Sequence, residues 1–159
     1  MGQTTELLNA VVEQLKDGFA RELSIELFPE DPSKYRLNHP RGAVLVGYGR
    51  SRFGPSEALD AVFQARAMVV PLTLVFRQLN GRDGVIEYLD RVRLQLTGWT
   101  APHCDQAMRP LEERFIGQLQ GVWQYGLDMA THATQLQDFG PVSGPLLTEI
   151  HFQDIEESP

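Results

Sequence analysis

The segment AVFQARAMVVPLTLVFRQL, residues 61–79, decides the fold of this chain. It is rich in β-branched and aromatic residues, and Pro71 in its interior would break a helix. We therefore predict an extended strand over about residues 65–78. Alternate positions form one apolar face, which consists of Met68, Val70, Leu72, Leu74 and Phe76. Pro71 is expected at a sheet edge or a bulge, where its missing N–H interrupts no ladder of hydrogen bonds.

Two amphipathic helices flank this strand in the sequence. Apolar residues recur at helical spacing over about residues 5–20, and Thr4 or Thr5 is the expected N-cap. The same spacing follows Asp83, which we expect to cap a second helix that ends at Gly98.

Shorter segments predict the remaining strands. They are ELSIELF (22–28), GAVLVGY (42–48), LEERFIGQLQ (111–120) and VWQYGLDMATH (122–132), with a tight hairpin or a bulge at Gly121. Helices and strands do not alternate as βαβ units, so the order indicates an α+β fold, with a mainly antiparallel sheet and two principal helices packed on one face. We expect this single domain over residues 1–137 and an acidic C-terminal arm over residues 138–159.

Composition excludes several classes of protein. Apolar residues make up 42% and charged residues 22% of the 159 residues, as in ordinary globular domains. No run approaches the roughly 18 apolar residues of a membrane span, so we expect no membrane partner. The single cysteine, Cys104, has no partner in the chain, which favours a reducing compartment. The four histidines share no ligand spacing, and we expect neither a metal nor a cofactor.

The glycine-rich stretch RGAVLVGYGRSRFGPSEALD, residues 41–60, raises the question of a phosphate-binding loop. A dinucleotide fingerprint fails, because its third glycine, Gly54, comes two residues late and Pro55 follows it. The chain also has no Gly-Lys-Ser/Thr, and GPVSGP around Ser143 is not a nucleophile elbow. We therefore expect a protein that is not an enzyme. A small-ligand or nucleotide-binding enzyme using the Gly47–Gly54 loop is kept as an alternative.

Charge is unevenly distributed along the chain. Residues 33–56 contain five basic residues and no acidic one, whereas six acidic residues and no basic one follow Arg114. Surfaces of opposite sign on one subunit can steer head-to-tail self-association, since each meets its opposite on a neighbour.

Four segments follow the N-terminal helix in a distinctive order. They are IELFPEDPSKYRLNHPRGAVLVGYGRSRFG (25–54), QARAMVVPLTLVFRQL (64–79), GRDGVIEYLDRVRLQLTGW (81–99) and VWQYGLDMATHA (122–133). This combination resembles the Mu-like phage and prophage tail-protein family, which is related in fold to the tail-terminator proteins of long-tailed phages. The resemblance covers about residues 8–133. Its most distinctive parts are residues 28–48 and the helix after the long strand.

The resemblance implies a structural protein of phage tail assembly, with no catalytic site and no cofactor. Such a protein would form a homo-oligomeric ring, a hexamer, at the head-proximal end of the tail tube. There it would cap the tube and contribute to head–tail joining. Its partners would be copies of itself, the tail tube and head–tail connector proteins, with a transient contact to DNA passing through the lumen. It would be found in the bacterial host cytoplasm during assembly and then in the virion tail.

Six residues are the expected assembly contacts. They are Arg41, Arg50, Arg52, Leu146, Ile150 and Phe152. The glycines of residues 47–54 predict a flexible loop that carries two of the arginines toward a neighbour, the tube or DNA. The three apolar residues of the arm are expected to add a strand or an apolar seal to the exposed sheet edge of a neighbour. A generic adaptor that forms dimers is a further alternative.

Overall fold

The computed structural model describes residues 1–140 of the chain. Two α-helices lie in this part, α1 (Gln3–Phe19) and α2 (Val85–Leu96), with one turn of 3₁₀ helix at Pro32–Lys34. The strands are β1 (Ser24–Leu27), β2 (Gly42–Val46), β3 (Arg50–Phe53), β4 (Phe63–Phe76), β5 (Gln106–Leu119) and β6 (Val122–Leu136).

The six strands form one mixed sheet in the order β1-β2-β4-β6-β5, and β3 pairs with β4 beside β2. Only β1 and β2 are parallel, because the long loop between them returns the chain to the same end of the sheet. The predicted α+β fold with a mainly antiparallel sheet is confirmed.

Strand β4 is central and is paired along both edges. On one edge β6 pairs with it from Phe63 to Phe76; on the other, β2 pairs with residues 72–76 and β3 with residues 66–69. Pro71 falls between β2 and β3, and its C=O accepts the Gly47 N–H at 3.0 Å. Of the two predicted places for Pro71, a sheet edge or a bulge, the edge is wrong, because β4 is paired on both sides; Pro71 lies at the break between β2 and β3. It is tolerated because its missing N–H faces the point where one partner strand ends and the next begins.

Both helices pack on the same face of the sheet. The alternate β4 residues that the sequence assigned to one apolar face are all buried there, together with Leu127 and Met129 of β6. The helices contribute two buried stripes to this core: Leu7, Val11, Val12, Leu15 and Phe19 from α1, and Val85, Tyr88, Leu89, Val92 and Leu96 from α2.

The helix starts differ from those predicted. Helix α1 begins at Gln3 after Gly2, and α2 begins at Val85 after Gly84, and neither N-cap residue makes a side-chain cap hydrogen bond. The prediction that Asp83 caps α2 is wrong, because the Asp83 carboxylate accepts a hydrogen bond from Arg41 Nε at 3.1 Å. The Arg41 guanidinium thus binds the carboxylate that, in a capped helix, would accept a hydrogen bond from a backbone N–H of the first turn.

Strands β5 and β6 form a long hairpin. Gln120 and Gly121 at its tip both have positive φ, 54° and 81°, as a two-residue turn of the hairpin type requires. The predicted tight hairpin at Gly121 agrees with this. However, β5 starts five residues earlier than the segment predicted from residue 111, and it includes Pro110. An edge strand can contain a proline, because the missing N–H faces away from the sheet. The first part of β5 was therefore not predicted, since its composition before residue 111 is typical of a turn.

A charged cluster ties the turn after α1 to α2. The Glu22 carboxylate accepts hydrogen bonds from Arg91 Nη1 (3.0 Å), Arg91 Nη2 (3.1 Å) and the Tyr88 hydroxyl (2.7 Å). Arg91 also lies 4.6 Å from the Tyr88 ring centroid, in cation–π range. The hydrogen bond from Arg91, followed by that from Tyr88, lowers the pKa of Glu22 below its ordinary value. Burial, together with the hydrogen bond to Glu22, raises the pKa of Tyr88.

Replacing Glu22 with Gln should make the free energy of unfolding less dependent on pH in the acidic range. A carboxyl group whose pKa is depressed by folding stabilises the folded state above its unfolded pKa of about 4.3, and this contribution is lost as the pH falls through its folded value. We expect Glu22→Gln to lower the free energy of unfolding by about 1 kcal/mol at pH 7, a modest value because the pair is partly exposed. Urea unfolding at pH 7 and at pH 3 measures the difference, which should shrink in acid. An equal difference at both pH values would contradict this assignment.

Candidate assembly surface

Residues 47–54, predicted as a flexible loop, instead add a strand to the sheet. The Gly49 N–H donates to the Val69 C=O at 2.9 Å, and β3 then pairs with residues 66–69. A Cβ atom at Gly49 would lie 3.0 Å from the Val69 oxygen, so glycine permits this close approach. The prediction of a flexible loop is wrong because β4 continues beyond the end of β2, and its free backbone groups pair with the following segment.

The new strand places two of the predicted contact residues on the sheet face that carries no helix. Arg50 lies opposite Val69 and Arg52 lies opposite Ala67, and these β4 positions alternate with the core positions. One row therefore runs across four strands, from Arg50 through Val69 and Ala130 to Arg109.

We call this region the basic trough and define it by three exposed arginines and three small residues. Its rims are Arg50 and Arg52 on β3 and Arg109 on β5; its floor is Ala67, which is exposed, with Val69 and Ala130, which are only 8% and 7% exposed, and the His132 ring lies in the same row as Ala67. The rims stand three strand spacings apart, about 14 Å. The trough thus offers an apolar floor between cationic edges, an arrangement suited to an anionic and partly apolar partner.

The charges of the trough are uncompensated among the residues that the structure describes. The ion pairs between residues 1 and 140 use other cations, namely Lys16, Lys34, Arg41, Arg91, Arg93, Arg114 and two histidines. Within the trough, in the row of Arg52 and Ala67, His132 Nδ1 lies 3.0 Å from Asp105 Oδ1. In the row beyond Val69 and Ala130, Arg114 donates to Asp128 at 3.1 Å.

Arg41 lies elsewhere and is engaged within the domain. Besides Asp83, it donates from Nη1 to the Glu22 carbonyl oxygen at 3.0 Å, and its guanidinium carbon lies 5.8 Å from the Tyr88 ring centroid. Its carbonyl pairs with Arg77 beyond the end of β4, whereas Arg50 and Arg52 pair eight to ten residues earlier, about 30 Å away. The structure therefore does not bring Arg41 together with the other two arginines.

A second exposed feature is the outer edge of β5. This strand ends the sheet, so one side of its 14-residue backbone has no strand partner among residues 1–140. Large apolar side chains on it are exposed, with Phe115 at 54% and Leu119 at 63% of their full accessibility. An exposed edge strand can accept a strand from another chain, although Pro110, the charged residues 112–114 and three register shifts limit where β5 can do so.

The other titratable residues form pairs rather than a reaction centre. His103 Nε2 lies 2.6 Å from Glu6 Oε1, and Asp105 accepts from Thr134 as well as contacting His132. Burial raises the pKa of the Cys104 thiol, which makes it a poor nucleophile. Between residues 1 and 140 no three His, Cys, Asp or Glu side chains are grouped to hold a metal ion. No helix in this part of the chain is long and apolar enough to cross a membrane.

Part of the predicted surface lies outside the described residues, and the structure adds Arg109 to the remaining part. Leu146, Ile150 and Phe152 lie outside the described residues, so their expected contacts stay predictions, as does the division between a domain and an arm. The sequence did not predict Arg109 as a contact residue, because it lies within residues 99–110, which were interpreted as turn-rich. Only the pairing of β5 with β6, β6 with β4 and β4 with β3 shows that it faces β3 across the trough.

The family model described as Gp37 protein matches residues 11–154. Since this match spans most of the sequence, the chain belongs to the Gp37 protein family. No curated protein matches the chain. Among solved structures, a chain in the virion of a native gene transfer agent (GTA) particle is similar, with a TM-score of 0.51 and 11% sequence identity. The similar region covers 83% of this chain and 97% of that chain. At this identity the likeness is one of fold.

The different positions of the arginines predict different effects on stability. Arg41→Ala should lower the free energy of unfolding by about 1–2 kcal/mol, because it leaves the Glu22 carbonyl and Asp83 without their donor. Arg50→Ala combined with Arg52→Ala should change it by no more than about 0.5 kcal/mol, as expected for exposed side chains. Urea unfolding at pH 7 compares the two variants. Equal losses of stability would contradict the assignment of Arg41 to contacts within the domain and of the pair to an exposed surface.

Proposed function

We propose that this protein is a structural component of a phage or phage-like virion, and that it acts as a tail terminator. In this role several copies, six by analogy with the resembling family, close into a ring on the head-proximal end of the tail tube. The ring ends tube polymerisation and forms a surface for joining the head. The observation that carries the proposal is the basic trough, whose arginines form no ion pair within residues 1–140, beside the exposed edge of β5, on a fold shared with a virion protein.

A closed ring requires two different contact surfaces on each subunit. A heterologous contact pairs one surface of a subunit with a different surface of its neighbour, and a ring results if the rotation closes. The trough is basic, whereas residues 141–159 contain four acidic residues and no basic one; this opposite charge supports heterologous rather than two-fold contacts. The tail tube and connector proteins are the proposed further partners, and DNA in the lumen is a transient one.

The enzyme alternative has little support in the geometry of residues 47–54. A phosphate-binding loop presents free backbone N–H groups to its ligand. Here the N–H groups of Gly47, Gly49 and Gly54 donate to the carbonyl oxygens of Pro71, Val69 and Ala65 at 2.9–3.0 Å. A non-enzymatic role is therefore part of the proposal.

A dimeric adaptor is the second candidate, and the exposed edge of β5 is the observation that favours it. Two copies could pair this strand across a two-fold axis and bury Phe115 and Leu119. Native mass spectrometry of the purified protein, alone and after incubation with tail tubes, separates the candidates. A ring of about six subunits is expected. A dimer in both samples would favour the adaptor, and a monomer in both would exclude either assembly.

Charge reversal in the trough should impair assembly without unfolding the subunit. We expect Arg50→Glu combined with Arg52→Glu to weaken ring formation at least about tenfold, because like charges then meet at the contact. Arg21→Glu combined with Arg82→Glu is the matched control, since it makes the same change in net charge at exposed residues outside the trough that form no ion pair within residues 1–140. Tail length and infectivity in a complementation assay measure the effect. Normal tails with the trough variant would count against this surface.

A further inference from the structure

The distribution of charge between the two parts of the chain suggests an occupant for the basic trough. Residues 1–140 contain 17 acidic and all 14 basic residues, whereas residues 141–159 contain four acidic residues and no basic one. The four acids are Glu149, Asp154, Glu156 and Glu157, and they follow or alternate with Leu146, Leu147, Ile150 and Phe152. This segment therefore carries both the apolar and the anionic groups that the trough could bind.

We propose that residues 146–157 of one copy occupy the basic trough of the adjacent copy. The inference rests on the proposed ring and names the contact that closes it. Apolar residues of the segment lie on the floor of Ala67, Val69 and Ala130, and its carboxylates meet the guanidinium groups of Arg50, Arg52 and Arg109. Twelve extended residues span about 40 Å, so the segment is long enough to cross the 14 Å between the rims with residues to spare.

The direction of β6 favours the neighbour's trough over the chain's own. The strand passes the trough at Ala130 and continues to Leu136, six residues and about 20 Å further on. Gln137 still donates its N–H to the Val62 carbonyl oxygen at 3.1 Å, beyond the paired end of β4. Up to Gln137 the chain thus moves away from its own trough, so a contact there requires the following residues to turn back. In a closed ring every subunit then gives one segment and receives one.

Charge also favours this segment over DNA. Residues 1–140 carry three more acidic than basic residues, and the row beside the trough contains Glu112 and Asp128. Binding to a phosphate backbone depends on many cations spread over a face, and three arginines next to two carboxylates supply few. A short acidic peptide, in contrast, needs only the few arginines of the trough to pair with its carboxylates.

Reciprocal charge reversal in the full-length protein tests the exchange. The first variant reverses the trough with Arg50→Glu, Arg52→Glu and Arg109→Glu; the second reverses the segment with Glu149→Lys, Glu156→Lys and Glu157→Lys. Either variant alone places like charges together at the three reversed positions, while Asp154 is unchanged in both. An equimolar mixture restores opposite charges at these positions in a ring in which the two variants alternate. Native mass spectrometry and sedimentation velocity, under the conditions where the wild type assembles, give the concentration for half-assembly.

We expect each variant alone to need at least about tenfold more protein for half-assembly, and the mixture to return to within about threefold of the wild type. Variants with Gln at the same positions, and melting temperatures of all variants, separate a lost contact from a lost fold. A mixture that stays unassembled, while a single chain with all six reversals assembles, would mean that the segment binds its own subunit and would overturn the proposal.

Normal assembly of the segment-reversed variant alone would also overturn the proposal, because the trough would then have another occupant, DNA among them. Failure of the wild type to form rings, even on tail tubes, is a different result. It would remove the proposed function itself, and this inference with it, before any variant is compared.

Discussion

The fold depends on one strand that is paired on both sides. Strand β4 sets the register of β6 along its whole length, and it receives two successive strands, β2 and β3, on its other edge. Pro71 makes this division possible, because no hydrogen bond from its nitrogen is required where β2 ends and β3 begins. The alternation of β4 then buries Met68 and Val70 under the helices and leaves Ala67 and Val69 on the opposite face. A stable core and an open surface thus follow from the same fourteen residues.

The sequence predicted the elements whose own periodicity is strong. The β4 alternation and the two helical stripes are local patterns, and both helices were placed within two residues of their observed ends. Strand β3 was missed because it has little apolar character and forms only when β4 provides partners. The start of β5 was missed because prolines and turn-forming residues are tolerated at a sheet edge. Both errors concern structure that depends on long-range pairing, which a local pattern does not contain.

The same limit applies to the candidate surface. Arg41, Arg50 and Arg52 lie within twelve residues in the sequence and look alike there, but the sheet separates a structural arginine from two exposed ones by about 30 Å. Arg109 is distant in sequence and joins Arg50 and Arg52 only through the pairing of β5, β6 and β4. The arginine that stabilises the domain is therefore not one of those in the trough. A charge change in the trough leaves the contacts of Arg41 and the core intact, so the proposed assembly surface can be tested without unfolding the domain.

Hydrogen–deuterium exchange of the subunit before and after assembly on tail tubes tests the central claim most directly. If the face formed by β3 and the first part of β5 is the assembly surface, amides of residues 50–53 and 106–111 should exchange more slowly in the assembled protein. Those of α1 and α2, which lie on the other side of the sheet, should keep the rates of the free subunit. Protection confined to the two helices, with unchanged exchange in β3 and β5, would contradict the account.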